Sequence, residues 1–487
     1  MTDPTQNPPA AASAVSTAAI DASCRWPLMV FFGKGVGWLM IGSLLLLISS
    51  IKMHGPGFLG DTAWLGLGRV KPAAMTALAY GFGVQFAFGM LLWMLCRLGR
   101  VPLLNAPFLF LAGGAWNIGV FFGWLGILGG ASTGHAYMEM PRAAWPFVFV
   151  ALGLVALWGL LTFHNRSERR LYVSQWYLVA GLFWFVWAVS VAAYLLVFQP
   201  VRGVMQAVVA AWFAHDLLHL WLGAVGLAAL HYFIPKLLGR PLYSRQLALF
   251  GFWTYAFFAP WGGLARLSGG PLPAWMISSG IASNAMMILP LGCIAFNLYK
   301  TIEGDLKAAR ENIIFRFLFC GGVALCAGWL LQILLSFRTV SATTAFTFAP
   351  MAVDHLFLLG AFGLVGFGAA YYIMPRVSGI DWPSAKLADL HFLCSVGGLI
   401  LHVIGLLLAG WVQGARINNP ELDFMTAIKS SIPMVGLSTL ALLIFLAGQA
   451  AFFLNTQKLV CRWWSPVMRE CCASVGLCRS GKVEVES

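Results

Sequence analysis

Two segments carry ionisable side chains inside otherwise apolar runs, where such groups are costly and mark function by default. In WFAHDLLHLWLG, His215 and His219 stand four residues apart. On a helix that spacing places both imidazoles on one face and can offer two nitrogens to one metal ion. The alternative is that each imidazole hydrogen-bonds inside a bundle, with Asp216 accepting from one of them. In VDHLFLLGAFGLVGFGAAYY, Asp354 and His355 open a run containing Gly360, Gly363, Gly366 and Gly368. Such small residues let either a neighbouring helix or a flat macrocycle approach the backbone. His231, His391 and His402 also fall within or at the ends of apolar runs, whereas His54, His135 and His164 read as loop or interface residues.

Other chemistries find little support. No nucleophile elbow, P-loop or dinucleotide fingerprint is present. Of ten cysteines, Cys293, Cys320, Cys326 and Cys394 lie in apolar runs, and Cys461, Cys471, Cys472 and Cys478 lie near the C-terminus. Together they do not form a disulfide framework. The C-terminal group fits no zinc spacing, although it could hold a soft metal or carry reversible lipid. With no C-x-x-C-H, the chain has no site for covalently attached haem.

The elements that must position these histidines are membrane helices. Of 487 residues, 60% are hydrophobic, 14% aromatic and only 10% charged, which excludes a soluble globule. Runs of about twenty apolar residues, long enough for a bilayer core, begin near Met29, Ala73, Ala106, Ala144, Gln175, Ala211, Leu247, Ala274, Ile313, Pro350, Leu390 and Met434. The fold class is therefore all-α, a polytopic bundle of about twelve transmembrane helices. Residues 1–24 read as a disordered cytoplasmic tail, 25–456 as the transmembrane domain and 457–487 as a cytoplasmic, cysteine-containing tail.

The net charge of +13 sits between the spans and accompanies no basic-aromatic groove, so nucleic acid is not an expected partner. Twenty of the thirty Lys and Arg fall on the side that holds both termini, nine fall on the other, and Lys34 lies within the first span. The positive-inside rule places both termini in the cytoplasm. Membrane lipid is the partner this composition requires.

Several phrases resemble the catalytic subunit of C-family haem-copper oxidases, the cbb3-type cytochrome c oxidases. They are HYFIPKLLGRPLYS, GFWTYAFFAPWGGLARLSGGPLPAW, YYIMPRVSG, LHFLCSVGG and LAGWVQG, in order within a similarity running from about Arg69 to Asn455. The resemblance implies a haem-copper oxidase subunit I fold in a bacterial cytoplasmic (inner) membrane. It also implies a respiratory complex with a cytochrome c-type subunit and other oxidase subunits as partners.

Such a subunit uses two axial histidines for a low-spin haem b, one for a high-spin haem b, and three for a copper. In GRVKPAAMTALAYGFG the position matching the first low-spin ligand is Ala74. The tenth-span motif reads Val353, Asp354, His355, so Val353 replaces the high-spin ligand and His355 matches the remaining low-spin one. His215 matches the first copper ligand, Ala265 and Arg266 stand at the other two, and Ala259 replaces the cross-linked tyrosine. Gln332 replaces a glutamate associated with proton delivery, and Glu139 matches a carboxylate linked to haem propionates and calcium.

The resemblance thus leaves room for one haem b, on His355, and disfavours copper. Nine histidines in all, none elsewhere in the second span and none in the seventh, prevent a shift of register from restoring the set. The leading expectation is a divergent, non-catalytic or single-haem scaffold subunit. A working terminal oxidase or nitric-oxide reductase with His215, His219 and His355 as rearranged ligands is the alternative. A third reading is a transporter or proton path lined by His215, Asp216, His219, Arg266 and Gln332.

Overall fold

The structure, a computed structural model, describes residues 15–305 and 310–474. The described residues are helical, with no strand among them. In lipid the backbone has no water to bond, so long apolar runs must close their hydrogen bonds within themselves. The helical units are α1 (Thr17–His54), α2 (Leu67–Gly99), α3 (Ala106–Gly129), α4 (Arg142–His164), α5 (Val173–Phe198) and α6 (Val204–Leu238). After the short α7 (Arg245–Phe258) come α8 (Ala274–Ile302), α9 (Ile313–Ser336), α10 (Phe348–Ser378), α11 (Ala385–Ile417) and α12 (Ile432–Ser474).

Where the sequence predicts twelve spans, eleven helices among the described residues are long and apolar enough to cross a membrane. The seventh is broken: α7 ends at Phe258 and continues as a 3-10 helix, Ala259–Leu267. Pro260 removes a backbone donor there. Gly262 and Gly263 let the tightened segment lie against α6, since a Cβ on Gly263 would fall 2.7 Å from the Ala211 carbonyl oxygen.

Helices α2, α6 and α10 form the inside of the bundle, their apolar windows almost wholly buried, while the other helices bury only about a third to a half of theirs. Exposed Phe, Trp and Leu side chains such as Phe183, Phe257, Trp275 and Leu393 form the lipid-facing surface. Each inner helix contains a π-helical segment: Ala77–Val84, Asp216–Leu222 and Leu356–Leu364. Widened turns of this kind re-aim side chains and leave carbonyls in need of outside donors.

The glycines of α10 serve helix packing. A Cβ on Gly368 would lie 3.1 Å from the Ile314 carbonyl of α9, and one on Gly366 would lie 3.3 Å from Phe86 of α2. The exits of α6 and α10 share one device. Pro235 and Pro375 each accept the N–H of a left-handed glycine four residues on, Gly239 (φ 66°) and Gly379 (φ 74°). Ser244 and Ser384 then cap the next helices through their side chains.

Two boundaries differ from the sequence expectation. Helix α1 starts at Thr17, inside the segment assigned to a tail, because Ser16 accepts from the Ala19 N–H at 3.2 Å and Ile20 and Cys24 are buried. Residues 1–14 lie outside the described residues. Helix α12 runs past residue 456 to Ser474 and takes in Cys471 and Cys472, whereas Cys478 lies outside the described residues. The first part of α1 meets α12, where Trp26 packs edge-on against Trp463 and Trp464 at 4.9 and 5.8 Å. Seven described cysteines, Cys293 and Cys326 among them, are free.

Candidate functional site

His215 ends the regular part of α6 and His219 sits one turn into its π segment. Their rings stack, 4.1 Å between centroids and 8° from parallel. His215 Nε2 lies 3.0 Å from the Ala259 carbonyl oxygen, and His219 Nδ1 lies 3.1 Å from the carbonyl of His215. A carbonyl only accepts, so both of those nitrogens carry the proton. The remaining nitrogens, His215 Nδ1 and His219 Nε2, have no partner.

Trp329 and Phe357 close over the pair, the His219 ring being 5.3 and 3.9 Å from theirs. The Tyr255 hydroxyl donates to the π-segment carbonyls of His219 and Leu220, 2.7 Å from the latter. Asp216 departs from the sequence expectation: it accepts from neither imidazole, and both its carboxylate oxygens are buried without a partner. As the next residue after His215 it lies about 100° round the helix from the histidine face.

Arg266 stands in the 3-10 segment after α7, and Asp354 in α10. They form a two-pronged ion pair, Nη1 to Oδ2 at 2.9 Å with Nη2 on Oδ1. The sequence puts Arg266 alone, facing a copper position. The structure neutralises it with the residue between Val353 and His355, and the planar guanidinium suits that two-pronged geometry. Ala259, Ala265, Ala74 and Val353 are all buried, none more than 4% exposed. Arg266 and Gln332 share a polar cavity of about 200 Å3 with Ser336, Ser341 and Thr344.

His355 is tied to α11 and α12. Its Nδ1 lies 2.8 Å from His402 Nε2, and His402 Nδ1 reaches the Ser438 hydroxyl at 2.7 Å and the Ser438 carbonyl at 3.4 Å. With the His402 Nδ1 proton directed at Ser438, His402 Nε2 accepts and His355 Nδ1 donates. His355 Nε2 is then the nitrogen with a free lone pair, oriented by a second imidazole in the manner of a ligating histidine.

Glu139 lies apart, in the loop between α3 and α4. It is 7% exposed, its Oε2 has no partner, and burial pushes its pKa up to about 7 against the pull of backbone hydrogen bonds and Lys71. Nearby, the Tyr80 hydroxyl of α2 donates to the Tyr137 carbonyl at 2.6 Å.

The structure therefore brings together His215 with His219, and Arg266 with Asp354, and joins His355 to His402. Sequence reasoning missed Asn284, whose Nδ2 donates to Gly262 at 3.1 Å while its buried Oδ1 has no partner beside His215. Its signal was a lone amide in an apolar run. It also missed the role of Ser438, a small polar residue with no signal of its own.

Fold and interior together define a class, the polytopic helical membrane proteins with an oxidase-type bundle. A solved haem-copper terminal oxidase, from a cryo-EM structure of the dimer, has a similar fold, with a TM-score of 0.69, 15% identity, 88% of this chain covered and 84% of that one. Residues 27–444 match the family described as cytochrome c and quinol oxidase polypeptide I, and the chain belongs to that family. It is a multi-pass membrane protein of the cytochrome c oxidase subunit I type. Among its relatives is the cytochrome c oxidase subunit 1 homolog of Azorhizobium caulinodans, 26% identical over 90% of this chain and 82% of that protein. Another is the cbb3-type cytochrome c oxidase subunit CcoN1 of Stutzerimonas stutzeri, 24% identical over 87% of this chain and 92% of that protein.

The family is one of haem proteins, and the residues here can be tested against that cofactor set. No group of three or more His, Cys, Asp or Glu suited to a metal ion occurs among the described residues. At the positions that the resemblance matches to haem ligands, His355 is 2% exposed and Ala74 and Val353 are fully enclosed, as are Leu78 and Phe82 further along α2. Side chains pack where a macrocycle would need an open slot, and the Phe82 ring of α2 lies 5.5 Å from the Phe367 ring of α10, tilted by 32°. The residues present do not fit a haem-copper pair.

Proposed function

We propose that this chain is a non-catalytic subunit I homologue that acts as a membrane scaffold in a bacterial respiratory complex. In this reading it lies in the inner membrane with both termini cytoplasmic, beside a cytochrome c-type subunit or a catalytic subunit of the same family. One observation carries the proposal: an ion pair joins Arg266 of the 3-10 segment after α7, where the resemblance places a copper ligand, to Asp354 of α10, between the two residues where it places haem ligands. A permanent cation there disfavours a second one, and its carboxylate partner adjoins the one surviving haem-ligand position. His355, held through His402, is the residue on which a single haem b would sit, and copper has no ligand set.

The test is to purify the protein in mild detergent and measure haem as the pyridine haemochrome, copper by elemental analysis, and oxygen uptake with reduced cytochrome c. The expected result is no copper and no oxygen uptake. A single haem lost in His355→Ala would assign the scaffold an electron-carrying role. Two haems and one copper per chain, with oxygen reduction, would overturn the proposal.

A further inference from the structure

A cavity of about 550 Å3 opens where the start of α5, the end of α6 and the start of α7 meet, and it plays no part in the site described above. Arg170, Lys236, Arg240 and Arg245 line it, and no carboxylate among the described residues does. Arg240 is engaged outward by Asp305 and by the Glu303 carbonyl at 3.1 Å. Arg245 reaches the Leu171 carbonyl at 3.3 Å, which holds its guanidinium at the rim. Val173 and Ser174, the first residues of the 26-residue α5, also line the cavity. Their N–H groups precede any intrahelical acceptor, so the start of α5 adds a second source of positive potential beside the cavity.

A separate observation indicates what else the occupant carries. His231, 6% exposed, forms part of the floor, and its Nδ1 donates to the Leu227 carbonyl at 2.8 Å. That leaves Nε2 as an acceptor, buried and without a partner. Tyr177 stacks on the ring at 5.7 Å and fixes its plane. Beside this polar corner the wall is apolar, formed by Leu98, Leu171 and Leu242.

We propose that this cavity binds a phosphate ester bearing a free hydroxyl. The phosphate sits among Arg170, Lys236 and Arg245 at the start of α5, the hydroxyl donates to His231 Nε2, and the apolar portion lies along the leucine wall. An anionic phospholipid with a glycerol headgroup and a soluble glycerol phosphate share that chemistry, and the apolar wall favours the lipid.

Native mass spectrometry of the full-length, delipidated protein tests this with phosphatidylglycerol, phosphatidylmethanol and phosphatidylcholine. One phosphatidylglycerol should bind at least tenfold more tightly than phosphatidylcholine, a comparison that needs no variant. Arg170→Gln with Lys236→Gln should abolish the preference, and His231→Phe should reduce phosphatidylglycerol to the level of phosphatidylmethanol, which has no headgroup hydroxyl. Competition by millimolar glycerol 1-phosphate would identify the soluble ester as the source of the phosphate. Equal binding of phosphatidylcholine, or a wild-type preference in the double variant, would overturn the proposal.

Discussion

The Arg266–Asp354 pair can be weighed by a double-mutant cycle. The two side chains are 20% and 16% exposed, so the pair is mostly, not fully, withdrawn from solvent. Removing one partner of a buried pair costs about 3–5 kcal/mol, chiefly because the other charge is left uncompensated. Partial exposure lowers that to about 2–3 kcal/mol for Arg266→Met or Asp354→Leu alone. Replacing both removes two desolvation penalties with the attraction, so the double variant should fall within about 1 kcal/mol of wild type. The cycle then yields a coupling of about 3 kcal/mol or more, well above the few tenths expected for independent sites. Equilibrium unfolding in mixed detergent reads all four proteins. Additive losses in the double variant would refute the view that this pair, in place of a metal centre, ties the 3-10 segment to α10.

Three further outcomes follow from single contacts. Glu139 is raised by burial to about 7, so the folded state holds a proton that the unfolded chain releases near its ordinary value of 4.5. Stability should therefore fall as pH rises from about 4.5 to about 7, by up to about 3 kcal/mol, and Glu139→Gln should flatten a thermal-melt profile over that window; an unchanged slope would refute the assignment. His402→Leu strands the His355 Nδ1 donor and should cost about 1–3 kcal/mol, with partial recovery in His402→Gln, read by the same unfolding assay. A Cβ on Gly398 would fall 2.7 Å from the Phe445 backbone nitrogen in α12, whereas one on Gly397 meets nothing within 4 Å. Gly398→Ala should lose about 2 kcal/mol or more, since backbone cannot yield, while Gly397→Ala should be neutral or gain up to about 1 kcal/mol from helix propensity.

Much of the architecture was legible in the order of residues. Runs such as Ala106–Gly129 and Ile313–Ser336 announce membrane helices because lipid admits few other structures for an uninterrupted apolar chain. That Ala74, Val353, Ala265 and Arg266 stand where the resemblance expects histidines is a statement about residue types alone, since an imidazole absent from the sequence cannot be restored by folding.

What the sequence could not supply was partnership across the bundle and local changes of helical register. Arg266 and Asp354 lie 88 residues apart, and His355 and His402 lie 47 apart, so each pairing exists only once distant helices are packed. Asp216, one residue from His215, was expected to bond a histidine. Neighbouring residues lie about 100° apart on a helix, which keeps it off that face, and nothing in DLLHLWL distinguishes the π turn that begins there from an α turn. The seventh span carries the hydrophobicity of a helix, yet close contact with α6 tightens its second half. Apolar content and periodicity are local properties that lipid enforces residue by residue. Register, ion pairing and the choice of α2, α6 and α10 as the interior arise from contacts between helices, and only the tertiary structure decides those.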